Sequence, residues 1–259
     1  MAPRITNSAK PVYQQLADSI RGKITKGDLV AGQQLPTEKA LSEEYGVARA
    51  TIRQGLTLLV NEGLIVPSRP RGYFVRRHEL AYHRPQAEWR PQPASPEMDR
   101  WMDEQTTLGR EPSQRIRVEI IQPPDKVSDR LEIAGASLVV VRRRVRYLDN
   151  EPFNINDSFF PFDLVQGSDI VNPADIARGA SQVLTELGYE QVRAIDEIEA
   201  RMPHPDEVTR LELGPGTPVA VHHITGFTED DKPVRHVINV LTGSKHIIVF
   251  ERKKSESMP

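Results

Sequence analysis

Arg49 and Arg53 stand four residues apart in a stretch whose apolar spacing predicts a helix from about Arg49 to Asn61, so both guanidinium groups share one exposed stripe with Thr57. Each can fork onto the edge of a guanine or clamp a phosphate. Lys39 falls at the start of the preceding predicted helix, where a cation positions a sugar-phosphate backbone. Further along, PSRPRG joins two short β-prone runs and sets Arg69 and Arg71 at a hairpin tip able to enter a minor groove, with Gly72 letting the backbone approach phosphate closely. A second cationic set, Arg142, Arg144 and Arg146, alternates along a predicted strand and so shares one face, Arg143 lying on the other with Val139, Val141, Val145 and Tyr147. Walled in, the three would grip a carboxylate or phosphate. Residue chemistry alone favours the plainer arrangement, in which they face water or pair with nearby carboxylates.

The elements that must position these groups can be read from periodicity. Val12, Leu16, Ile20 and Ile24 recur every four residues after Pro11, a good first-turn residue, until Gly27 stops the helix. Thr37 is an N-cap for a second helix ending at Gly46, and Gly46-Val47 makes the turn into the third, which buries Ile52, Leu56, Leu59 and Val60. Leu64–Val66 and Tyr73–Val75 should pair as a hairpin. Two helices, a tight turn and a basic hairpin are the plan of a winged helix-turn-helix that reads DNA. Residues 81–98 carry four prolines and no apolar periodicity, as a partly extended linker would. Beyond it come a strand around Ile116–Ile120, a helix with Val127 and Leu131, strands Leu138–Leu148 and Phe153–Phe160 about an Asp149-Asn150 turn, and a helix Pro173–Leu187. A strand Val192–Met202, a short helix Pro205–Leu211 and strands Pro218–Phe227, Val234–Leu241 and Ile247–Phe250 complete the reading. Strands outnumber helices and run mostly as hairpins, which predicts an α+β fold with a largely antiparallel sheet. No internal repeat is apparent.

Charge divides along the same line. The net charge of the 259 residues is -2, yet residues 1–78 hold 12 Lys/Arg against 6 Asp/Glu and residues 79–259 hold 22 against 30. A basic head on an acidic body suits a DNA-binding module attached to a domain that does not bind DNA. The absence of cysteine excludes disulfides, thiolate nucleophiles and cysteine zinc sites. His222 and His223 are adjacent in a strand and His236 and His246 ten apart, so no pair has helical zinc-site spacing. Asp196, Glu197 and Glu199 have no evident nucleophile or base partner, and a solvated face is expected of them. No cofactor, metal or catalytic residue is expected. Without a signal peptide or a long apolar run, the expected location is cytoplasmic, with no membrane partner.

The segment LPTEKALSEEYGVARATIRQGL, with EGLI and RGYFV after it, resembles the GntR family of bacterial transcription regulators. The resemblance implies DNA contacts at Lys39, Arg49, Thr51, Arg53 and Gly72. The family usually has Ser at Ala48, Thr at Ala50, Ala at Gly55 and a wing glycine at Pro70. Ala48 would forgo a cap worth about 1 kcal/mol, and Gly55 would weaken its helix by roughly 1 kcal/mol relative to Ala.

RVRYLDNEPFNINDSFFP and DDKPVRHVINV resemble the UTRA effector domain of the HutC branch, which has a chorismate-lyase-like fold. That resemblance implies effector contacts at Arg144, Arg146, Asn156 and Arg235, with the Gly179-Ala180-Ser181 segment a weaker candidate. The family often has acids at the positions of Asn156 and Arg235, so an acidic or neutral effector is expected. The organisation that follows is a winged helix-turn-helix over residues 1–78, a linker over 79–107, an effector-binding and dimerisation domain over 108–251 and a polar tail over 252–259. The expected protein is a homodimeric repressor that binds a palindromic operator in double-stranded DNA and is released by a small-molecule effector. Two other readings stay open: a second domain that only dimerises, and an enzyme on the chorismate-lyase-like fold.

Overall fold

The computed structural model describes residues 10–68, 70–76, 81–86, 100–134 and 136–252. The chain divides into two compact units, residues 1–80 with 213–218, and residues 81–212 with 219–259.

In the first unit, α1 (Val12–Lys26) ends at Gly27, whose φ of 83° and N–H bond to the Ile24 carbonyl form a left-handed cap. Thr37 caps α2 (Glu38–Tyr45), its Oγ1 accepting from the Ala40 N–H at 3.2 Å, and Gly46 closes that helix at φ 67°. Helix α3 (Arg49–Asn61) begins at Ala48 with no side-chain cap. Strands β1 (Ile65–Ser68) and β2 (Gly72–Val75) pair antiparallel, with Ser68 opposite Gly72. Leu16, Ile20, Leu41, Ile52, Leu56, Leu59, Ile65 and Val75 form the core of this unit. Gly55 belongs to this packing. A Cβ there would lie 2.7 Å from Leu16 Cδ2 and 2.9 Å from the Tyr13 carbonyl oxygen, so the glycine lets α1 and α3 approach closely. Its helix-propensity cost is thus tied to a tertiary contact.

The second unit is built on a six-stranded antiparallel sheet in the order β4-β5-β6-β9-β8-β7. The strands are β4 (Pro112–Ile121), β5 (Val139–Leu148), β6 (Glu151–Pro161), β7 (Arg193–Arg201), β8 (Val219–Phe227) and β9 (Pro233–Thr242). β5 turns into β6 through Asp149 and Asn150 at φ 52° and 64°, the paired left-handed conformation of a tight hairpin. One sheet face packs α5 (Asp125–Leu131) through Val127 and Leu131 against Val139, Val141 and Phe159. The other packs α6 (Phe162–Val165), a 3-10 turn (Asp169–Val171) and α7 (Ala180–Glu186) over Val140 and Phe160. Helix α8 (Pro205–Leu211) lies against β6.

Three expectations need correction. First, the 79–107 segment is not bare linker where it is described: β3 (Ala81–His83) pairs in parallel with β10 (His246–Ile248), and Arg100–Thr107 forms helix α4. The partner of β3 lies far along the chain, so local composition could not reveal it. Second, Pro173–Leu187 is not one helix. Gly179, at φ 80°, holds the chain outside the helical region, and only Ala180–Glu186 is helical. Third, the unit contains an internal repeat. The succession β4-α5-β5-β6 recurs as β7-α8-β8-β9, and the sheet order reads the same from either edge. The segments PDKVSDRLE and PDEVTRLE open the two helices, and each ends on a glutamate in the left-handed region, Glu132 at φ 51° and Glu212 at φ 50°.

Candidate functional site

The head presents its cations to solvent. Arg49, Arg53 and Lys39 are exposed, as is Arg71, while Thr51 and Gly72 are partly covered. Arg53 Nε donates to Glu38 at 2.8 Å and Lys39 lies 3.9 Å from Glu43, solvent-facing pairs of the kind worth at most about 1 kcal/mol. Such pairs give way cheaply to a phosphate. Arg71 folds back on the wing, donating to Ser68 Oγ at 2.9 Å with its guanidinium 5.4 Å from the Phe74 ring centre. Gly72 sits at φ 106°, and Gln34 donates through Nε2 to the Arg71 carbonyl beside it. Arg69 lies outside the described residues.

In the body the cations are buried. Register places Arg144, Asn156, Asn239 and His222 opposite one another across β5, β6, β9 and β8, so the four side chains share a face. Neighbouring positions on that face hold Arg142 beside Ser158 and Arg146 beside Asn154. Arg142, Arg144, Asn154, Asn156, Ser158, Asn239 and His222 are all buried, and Arg146 partly so. The arginines therefore do not face water, as residue chemistry alone favoured, because the 3-10 turn and α7 cover this side of the sheet.

Arg142 has a structural task. Fully buried, it donates to the carbonyls of Ile170, Asn172 and Ala174, the first and last at 3.0 and 2.8 Å, and so fixes the non-helical segment before α7. Burial lowers its pKa from the usual guanidinium value, partly opposed by Asp175 and Asp169. Arg144 donates to Asn156 Oδ1 at 3.5 Å, and Asn156 Nδ2 donates to Asn239 Oδ1 at 2.5 Å. Ser158 Oγ donates to the same Asn156 oxygen at 3.4 Å. The Arg146 guanidinium stacks 4.8 Å from the Trp101 ring centre, a cation–π contact made by α4. At the far end of the face, Arg235 is buried, donates to Ser181 Oγ at 2.9 Å and lies 5.8 Å from the Phe160 ring centre.

The four expected effector residues thus share one covered face, with Arg144 and Asn156 in direct contact and Arg235 four residues along β9 from Asn239. Asn154, Ser158, Asn239 and Trp101 join them without having been singled out. Their signal lay in pairing register, which an isolated strand does not disclose. On this face β5 carries no carboxylate, and neither does β6 from Asn154 to Phe160 nor β9 from Arg235 to Leu241. Arg143, on the opposite face, donates to Glu119 at 2.9 Å and Asp157 at 3.1 Å, and Arg210 supplies Asp157 from α8 at 2.7 Å.

The acids of β7 are paired and not simply solvated. Asp196 Oδ1 lies 2.7 Å from His222 Nε2, and His222 Nδ1 lies 2.9 Å from His83 Nε2. With Asp196 ionised, Nε2 carries the proton and Nδ1 is left to accept from His83. Arg130 donates to both oxygens of Glu197, and this hydrogen bond is the main cause holding the glutamate's pKa below its usual value. Among the described residues no three His, Cys, Asp or Glu side chains gather as a metal would require. No helix there is long and apolar enough to cross a membrane.

Comparison with known proteins agrees with this geometry. Residues 12–75 match the family model of bacterial regulatory proteins, gntR family, and residues 107–247 match the UTRA domain. The HTH-type transcriptional regulator GgaR of Escherichia coli (strain K12) is 25% identical over 243 residues, 93% of this chain and 91% of its own. The HTH-type transcriptional repressor NagR of Bacillus subtilis (strain 168) is 24% identical over 241 residues, 92% of this chain and 93% of its own. The crystal structure of PhnF from Mycobacterium smegmatis shares the fold, with a TM-score of 0.54 at 17% identity over 94% of this chain and all of that one. The chain belongs to the gntR family of bacterial regulatory proteins and carries a UTRA domain: it is a DNA-binding transcriptional regulator.

Proposed function

We propose that this regulator is a ligand-responsive repressor of the HutC branch, acting in the cytoplasm as a homodimer whose two heads occupy half-sites of a palindromic operator in double-stranded DNA. Lys39, Arg49, Thr51, Arg53 and Gly72, with Arg69 and Arg71 at the wing, make the DNA contacts. Arg49 and Arg53 read base edges while Lys39 and the wing position the backbone. In the body, Arg144, Arg146, Asn156 and Arg235 hold a small-molecule effector, and binding shifts the operator-competent population through the segment between the units.

The observation that carries the effector reading is the buried polar face. Burying a guanidinium is costly unless it is hydrogen-bonded or paired, and four arginines share one covered face here with amides and hydroxyls, while the acid on that face, Asp196 of β7, is taken up by His222. Such a face suits an acidic or neutral ligand and disfavours an amine.

The test is a thermal-shift screen of the full chain against acidic, neutral and amine-bearing metabolites, repeated on an Arg144→Ala/Arg146→Ala double variant. Stabilisation of the wild type by acidic or neutral compounds, lost in the double variant, is the expected result. A wild type that no compound stabilises would leave the body as a dimerisation domain alone. Stabilisation undiminished in the double variant would place the ligand elsewhere.

A further inference from the structure

The two edges of the six-stranded sheet differ in what they show to solvent. β4 presents Arg115 and Arg117, the charged kind of edge that discourages pairing. No described strand pairs with the outer edge of β7. There Val192, Ile195 and Ile198 remain 52%, 45% and 46% exposed, and Met202 beyond them is exposed too. Nine residues of apolar-bearing strand form an edge that a soluble protein normally covers.

The sequence of this edge states what covers it. A closed dimer joins two copies of one patch across a two-fold axis, so β7 would meet its own copy antiparallel, each residue facing a partner on the same sheet face. Centred on Ile195, that pairing sets Ile195 against its own copy, Val192 against the partner's Ile198, Arg193 against the partner's Glu197, and Ala194 against the partner's Asp196. Apolar groups meet, opposite charges meet, and no like charges face each other. Other registers fall short. Centring on Arg193, Asp196, Glu197, Glu199 or Arg201 sets a charge against itself, and centring on Ile198 sets Glu197 against the partner's Glu199. Centring on Ala194 sets Ile195 against the partner's Arg193, and centring on Ala200 pairs only residues 199–201 of β7 and leaves Ile195 with no strand partner. Arg193 and Glu197 now pair within the chain with Asp231 and Arg130 at partly exposed positions, where exchange of partners costs little.

We infer that two copies of the chain dimerise by β7-to-β7 addition in the register centred on Ile195, joining their sheets into one of twelve strands. This rests on the dimer reading above and gives it a location.

The experiment is sedimentation equilibrium of the full chain over a concentration series, with circular dichroism as the check on folding. Ile195→Asp sets two carboxylates face to face on the axis and should raise the dimer dissociation constant by at least about 100-fold. Arg193→Glu and Glu197→Arg, made singly, each create two like-charge pairs and should raise it about tenfold. Together they restore opposite charges across the axis and should return it to within about threefold of wild type. That rescue cannot come from Asp231 or Arg130, whose pairs the double variant breaks. A double variant no tighter than the single ones, or an Ile195→Asp protein as tightly dimeric as wild type, overturns the register while leaving the dimer reading intact. A monomeric wild type overturns both.

Discussion

Arginine is used in opposite ways by the two units. In the head, Arg49 and Arg53 stand in water on the face of α3 with at most an exposed ion pair, whereas in the body Arg142 is wholly enclosed and Arg144 nearly so. An exposed guanidinium keeps its hydration until DNA replaces it and adds almost nothing to folding. An enclosed one has already lost its water and must be repaid by fixed acceptors. Cations of the head are therefore separable from its stability, and those of the body are not.

The hardest test of this contrast is Arg142→Ala. Three carbonyls lose their donor at once, and the effector unit should lose about 3 kcal/mol or more, measured by urea unfolding. Trp101, stacked on Arg146, reports on that unit through its fluorescence. A loss below about 1 kcal/mol would break the distinction.

Acid should separate the units next. Burial pushes His236 down to about 3, with His223 adding to the effect, and pushes His246 down to about 4. Both stay neutral in the fold while the unfolded chain takes up protons from about pH 6.5 downward. The body should accordingly be unaffected by these groups above about pH 7, weaken progressively below 6.5, and level off for each histidine near its folded value. The described head has no histidine. Circular dichroism melts between pH 7 and 4.5 should show the body's transition falling faster than the head's.

Within the head the decisive contact is apolar. Gly55→Ala should destabilise by about 1–3 kcal/mol through overpacking against Leu16, although helix propensity alone predicts a gain of roughly 1 kcal/mol. Ala48→Ser should stabilise by about 1 kcal/mol by supplying the missing cap of α3. Both are read from the melting temperature of residues 10–76 within the full chain. The smallest stability change belongs to Arg49→Ala and Arg53→Ala, within about 0.5 kcal/mol of wild type. The same variants should weaken operator binding about tenfold or more in a gel-shift assay. Wild-type affinity would remove α3 as the reading helix.

The contrast also explains what could be read from residues in order. Helices of the head obey local rules: apolar residues every third or fourth position, Thr37 as a cap, and glycines at the stops. The hairpins of the body were marked by alternation and by Asp149-Asn150. The site was only half legible, because alternation put Arg142, Arg144 and Arg146 on one side but could not say whether that side met water. The answer depended on the 3-10 turn and α7, and one of the carbonyls that Arg142 holds, that of Ala174, lies where periodicity predicts a continuous helix. β3 stayed hidden because its partner β10 is more than 160 residues away. Gly55 looked like a flaw because its contacts, Leu16 and Tyr13, lie in another helix.

The doubled plan of the body bears on how such a regulator acquires a new signal. Aligned by their helices, the two halves place Arg142 and His222 at matching positions, one holding carbonyls and the other an aspartate and a histidine. Each half keeps its helix, its left-handed glutamate and its place in the sheet, so the architecture is specified twice. What varies is the chemistry written on the inner strands. A lineage can therefore revise the amides and hydroxyls beside the arginines while the helices and left-handed glutamates of both halves go on defining the frame, and ligand preference can drift with the fold intact.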